Sequence, residues 1–129
     1  MLEIACFTPT SALTAANHGA DRLELCTSYP LGGLTPPIST LLSIRPSIPP
    51  SIPIMVMIRP RGGDFVYSTA EFEAMRHSIA LFAPLVDGFV FGILDRRGDV
   101  DVARNSELVD IAEPVGCTFH RAIDLVGDV

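Results

Sequence analysis

A chain of 129 residues, 48% of them hydrophobic, is long enough to bury one core, and no apolar run exceeds that of Ile54 to Ile58, far too short to cross a membrane. Nine basic residues, all arginine, stand against fifteen acidic ones for a formal charge of −6, with no basic cluster beyond Arg96-Arg97. That balance excludes the positive footprint of nucleic-acid binding, and the lack of lysine excludes a Schiff base or a lysine-bearing phosphate loop in this segment.

Leu2 to Phe7 reads as a strand that ends at Thr8-Pro9, a cap followed by a residue suited to the first helical position. The helix formers from Ser11 to His18 stop at Gly19. Arg22 to Cys26 alternates as a second strand, and Gly32-Gly33 and Thr35-Pro36 introduce a helix over Ile38 to Arg45. Pro46, Pro49, Pro50 and Pro53 fill a connection that cannot be helical, and Ile54 to Ile58 beyond it has the composition of a buried strand. After a loop from Arg59 to Tyr67, Ser68 and Glu71 form a capping box; Phe72, Met75, Ile79 and Phe82 then mark a helix face that packs on the sheet. Asp87 to Leu94 is a fourth strand, Val102 to Ala112 a fourth helix that Pro114 ends, and Cys117 to His120 a fifth strand. His18 and His77 fall on solvent-facing helix positions.

Short apolar strands alternating with helices argue for an α/β fold with a parallel sheet, either doubly wound or a barrel. Glu3 and Glu24 favour the barrel. Each lies inside an apolar strand, in phase with Ala5 and Cys26 and out of phase with Ile4, Leu23 and Leu25, so both carboxylates point to one side of neighbouring strands. A barrel lumen accommodates them better than a helix-covered sheet face.

The segments Gly19-Ala20-Asp21-Arg22-Leu23-Glu24-Leu25-Cys26, Gly32-Gly33-Leu34-Thr35-Pro36, Ile58-Arg59-Pro60-Arg61-Gly62-Gly63-Asp64-Phe65 and Thr118-Phe119-His120-Arg121-Ala122, with Glu3-Ile4 before them, resemble successive motifs of the CutC family in order and spacing. The resemblance implies a (β/α)₈ TIM-type barrel, a copper-homeostasis role and a cytoplasmic location. A barrel of that type takes about 250 residues. The expectation is therefore a single domain over residues 1–129 truncated to about the first four to five βα units, which would self-associate through its exposed edges or be a nonfunctional fragment. Three widely spaced cysteines, odd in number, argue against a disulfide framework, and the start at Met1 lacks the pattern of a secretory signal.

Arg59, Arg61 and Asp64 follow the third strand, and His120, Arg121 and Asp124 follow the fifth, at the ends where such barrels place their sites. With Glu3 and Glu24 they are expected to form a polar mouth for a small phosphate or carboxylate ligand, in an enzyme or a sensor whose reaction stays open. Mutual pairing of these charges is the structural alternative. For Cu(I), which prefers soft ligands, the resemblance points to Cys26 on the second strand. Ala5 stands where copper-linked relatives have the partner cysteine, and Cys6, one residue on, should face the helices. Met55 and Met57 share a strand face as core fillers or thioether donors, and Cys117 reads as a small buried hydrophobe.

Overall fold

The computed structural model describes residues 1–127, so the last two residues of the expected domain lie outside it. Five strands, β1 (Glu3–Cys6), β2 (Arg22–Leu25), β3 (Ile54–Met57), β4 (Gly88–Phe91) and β5 (Gly116–Phe119), alternate with helices α1 (Pro9–Asn17), α2 (Ile38–Ile44), α3 (Thr69–Phe82) and α4 (Val102–Ala112). All four strand pairs are parallel, and the sheet order is β1-β2-β3-β4-β5. A doubly wound sheet would reverse its strand order at a switch point; uninterrupted sequential order is that of a barrel wall. The fold is thus the partial (β/α) barrel that the strand phase of Glu3 and Glu24 anticipated.

The two sheet faces carry different chemistry. Toward the helices, Cys6, Leu23, Leu25, Ile54, Val56, Phe89 and Phe91 join the main core with Leu41, Ile44, Met75, Ile79, Phe82 and Leu108. On the inner face, Cys26, Met55, Met57 and Val90 form a second, smaller cluster, with Phe7 packed on its border. The edge strands leave the inner positions Glu3, Ala5, Gly116 and Thr118 exposed, whereas β3 and β4 are buried on both sides.

Local signals set most boundaries. The Thr8 hydroxyl accepts from Ser11 N at 3.0 Å with Pro9 opening α1, and Ser68 and Glu71 exchange hydrogen bonds as a complete capping box at α3. One expectation is corrected: Thr35 does not start α2, whose flanking residue is Pro37. Its hydroxyl is taken by a distant partner, accepting from Arg59 N at 2.8 Å and donating to Arg59 O at 3.2 Å, so Thr35 pins the loop after β2 to the end of β3. The fourth strand is shorter than its apolar run because Ile93 and Leu94 turn away beyond Phe91. Asn105 of α4 satisfies both the N–H and the carbonyl of Ile93, at 3.2 and 2.9 Å. Cys117 is half-buried against the main core rather than enclosed.

Inner-face packing depends on one absent side chain. Gly88 pairs with Met55 and Gly116, and a Cβ there would lie 2.2 Å from Met55 Cε and 2.9 Å from the Gly116 carbonyl oxygen. The thioether could move aside; the neighbouring strand could not without disturbing the ladder. Gly88→Ala is therefore expected to cost about 1–3 kcal/mol in urea unfolding, the range for overpacking. A Met55→Ala second change should recover only part of it.

Candidate functional site

The inner face lines an open cavity of about 330 Å³ that runs from Glu3 and Glu24 up to Arg59, His120 and Arg121, past Cys26, Met57, Val90 and Thr118. Alternation puts them there. Glu24 and Cys26 leave β2 on the side opposite Leu23 and Leu25, Arg59 continues the inner phase of Met55 and Met57, and His120 continues that of Thr118.

Arg59 governs the upper end. Its side chain is drawn in almost completely, with the residue only 3% exposed, although no carboxylate pairs with it among the described residues. Its Nη1 donates to Leu31 O at 2.9 Å and its Nη2 to Gly63 O at 2.8 Å, its plane covers the Phe65 ring at 4.7 Å, and its Nε is buried with no hydrogen-bond partner among the described residues, the Tyr67 hydroxyl lying nearby. Arg121 enters from the 3₁₀ turn Arg121–Leu125, also without a carboxylate among the described residues. The two guanidinium groups converge on Gly32, which holds φ at +83°. A Cβ on Gly32 would sit 2.4 Å from Arg121 Nη2 and 3.1 Å from Arg59 Nη1. The positive φ favours glycine here, and two cations so close repel unless something negative lies between them.

His120 completes this end. Its Nδ1 accepts from Ala122 N at 3.2 Å, which fixes the remaining proton on Nε2, a buried atom with no partner among the described residues. The ring rests in space that a Gly92 side chain would fill and tilts against Phe65 at 4.9 Å. Burial first, then the charges of Arg59 and Arg121, push its pKa down to about 4. The imidazole is therefore neutral at pH 7 and offers an N–H rather than a charge.

Lower in the lumen, Glu3 is paired with Arg22, whereas burial and then the Glu3 charge raise the Glu24 carboxyl above its ordinary range. Burial, followed by Glu24 and Cys6, pushes the Cys26 thiol up to about 12, so it stays protonated. Cys6 points to the helix side, its Sγ 3.4 Å from Ile4 O. The two thiols thus occupy opposite faces and do not fit a two-cysteine metal centre. Among the described residues no three His, Cys, Asp or Glu side chains gather to hold a metal ion.

Three of the anticipated mouth residues stand elsewhere. Beyond Pro60 the chain leaves the strand phase and turns at Gly63, φ +90°, which sends Arg61 outward toward α3. There its Nε donates to Glu71 Oε2 at 2.5 Å and its Nη2 to Asp64 Oδ1 at 3.0 Å and Val66 O at 2.7 Å. Asp64 also accepts from Val66 N at 3.1 Å. The backbone N–H of Val66 and then Arg61 hold the Asp64 carboxyl low, as the Ser68 N–H and then Arg61 hold Glu71. Arg61 and Asp64 are loop fasteners outside the cavity, and the mutual-pairing alternative describes them. Asp124 is exposed in the 3₁₀ turn and does not line the cavity. The role of Gly32 leaves little trace in the sequence beyond the Gly32-Gly33 pair, both of which adopt positive φ.

A pH dependence follows from His120. Between its ordinary value of 6.5 and about 4 the unfolded chain binds a proton that the folded chain refuses, so this residue removes stability as pH falls through that window and is neutral above it. Urea unfolding at pH 7 and pH 4.5 should show a smaller acid loss for His120→Gln than for the parent chain. Equal losses would mean that the imidazole is not held neutral.

The sequence matches the CutC family over residues 1–129. It is 45% identical over 126 residues to the CutC family protein of Enterobacter sp. (strain 638) and 47% identical over the same length to that of Salmonella paratyphi B, covering 97% of this chain and 50% of each relative. The chain therefore spans about half the length of these curated relatives. The crystal structure of a Streptococcus agalactiae protein, provisionally named copper homeostasis protein CutC, superposes with a TM-score of 0.86 at 27% identity, over 98% of this chain and 61% of that one. With the family matched along its whole length and the barrel wall reproduced in a solved relative, this chain belongs to the CutC family.

Proposed function

We propose that the chain forms the anion-binding mouth of a CutC family barrel that takes a small phosphorylated or carboxylated metabolite, as an enzyme or a sensor. The observation that carries this reading is the convergence of Arg59 and Arg121 on Gly32 with no carboxylate between them among the described residues. An oxyanion there would relieve the repulsion and accept from the neutral Nε2–H of His120. No reaction is assigned to these groups. Three free cysteines suit a reducing cytosol, and the outer edges of β1 and β5 are where self-association would occur.

Calorimetric titration with inorganic phosphate tests the reading. Arg121→Gln, at an exposed position, is expected to weaken binding roughly tenfold without lowering stability, the loss of one charge-assisted contact. Arg59→Gln should abolish it. Bound phosphate should also raise the His120 pKa from about 4, read by its ring NMR shifts, because a nearby anion favours the imidazolium. Binding that is absent, or indifferent to both substitutions, would sink the proposal.

A copper-homeostasis role is the second reading, supported by the name carried by the S. agalactiae relative and by Cys26 sharing a cluster with Met55 and Met57. One thiol and two thioethers are soft donors suited to Cu(I), although the thiol would have to lose a tightly held proton. Cu(I) titration of the reduced chain and of Cys26→Ala should then show a site lost in the variant and more strongly occupied as pH rises. Equal uptake by both would remove Cys26 from the account.

A further inference from the structure

The lumen has two ends of opposite character. The upper end gathers Arg59, Arg121 and the His120 N–H, whereas Glu24 lies level with Met55, four residues before Arg59. Four extended residues separate the two backbone levels by up to about 13 Å, so an oxyanion held at the upper end leaves the lower end to another group. Between them the wall is apolar, built of Cys26, Met57 and Val90. Glu3 is neutralised by Arg22, but the Glu24 carboxylate forms no ion pair or hydrogen bond with any side chain among the described residues. This half-buried acceptor lines the same cavity as the two guanidinium groups and is free to receive a hydrogen from a ligand.

We propose that this lumen takes a bipolar ligand, with a phosphate or carboxylate head held by Arg59 and Arg121, a short aliphatic middle against Cys26 and Met57, and a terminal hydrogen-bond donor on Glu24. The proposal rests on the anion reading of the same mouth and adds the chemistry of the ligand's other end. An ammonium or a hydroxyl group would serve as that donor, since both give Glu24 a hydrogen to accept.

The test compares three probes on the 129-residue chain and on Glu24→Gln: propyl phosphate, which lacks a tail donor, glycerol 3-phosphate and O-phosphoethanolamine. At least one donor-tailed probe should bind roughly tenfold more tightly than propyl phosphate, as expected of a hydrogen bond to a charged acceptor. That advantage should shrink severalfold in Glu24→Gln, whose neutral amide oxygen is the weaker acceptor, while propyl phosphate binding stays unchanged; which tail gains more identifies the donor. If propyl phosphate binds as well as the others, or if the advantage survives undiminished in Glu24→Gln, the bipolar ligand is overturned and the anion site stands. If no phosphate binds at all, the anion reading fails first and this proposal goes with it.

Discussion

In an extended strand, consecutive side chains must leave on opposite faces, and in this sheet that rule decides which residues meet water, helices or one another. It sets Cys6 beside Leu23 and Leu25 on the helix side and sends Cys26 to the lumen, although the two cysteines are neighbours where β1 and β2 end and Cys26 N donates to Cys6 O at 3.0 Å. It also stacks Glu24 beside Met55 and Arg59 above Met57, so acidic, apolar and cationic side chains occupy successive levels of one cavity. Glycines at the inner positions Gly88 and Gly92 leave room for large neighbours, Met55 at one level and His120 at the other. A register slip of one residue would exchange all these inner groups for the leucines and isoleucines that pack on the helices.

The loop after β3 places two arginines two residues apart under opposite electrostatic regimes. Arg61 meets Glu71 and Asp64, both partly in water, where ion pairs contribute little individually and serve chiefly to fix the loop on α3. Arg59 is withdrawn from water with carbonyl acceptors and an aromatic face in place of a counterion. Burying a charge without an opposite one is expensive, and two carbonyl hydrogen bonds with one cation–π contact offset only part of it. The remaining cost is stored at the mouth, in the position where an incoming anion would recover it. The Thr35 hydroxyl, bonded to both backbone groups of Arg59, holds the residue there while the side chain does so.

How much of this was legible in the sequence depends on the range of the interaction. The Ser68–Glu71 box and the Thr8-Pro9 start are written within four residues, and the structure reproduces both. The lumen-facing phase of Glu24 and Cys26 needed only the period of a strand. Thr35 defied its local pattern because its partner lies 24 residues away, and no propensity argument contains that partner. Arg61 and Asp64 belonged to the same motif as Arg59 and shared its charged character, yet the turn at Gly63 gives them a different neighbour, α3, which only the packed chain supplies. The meeting of Arg59 and Arg121 around Gly32 joins three segments far apart in sequence. Gly-Gly pairs are too common to announce such a junction, so that part of the site became visible only in three dimensions.

The strictly sequential strand order has a bearing on how the chain is made. Each strand hydrogen-bonds to the one synthesised just before it, so a growing chain leaving the ribosome can add βα units in turn without waiting for a distant partner. The Arg59–Arg121–Gly32 junction and the Phe65–His120 contact beside it, by contrast, span several units. The mouth would accordingly be assembled last, on a wall already in place.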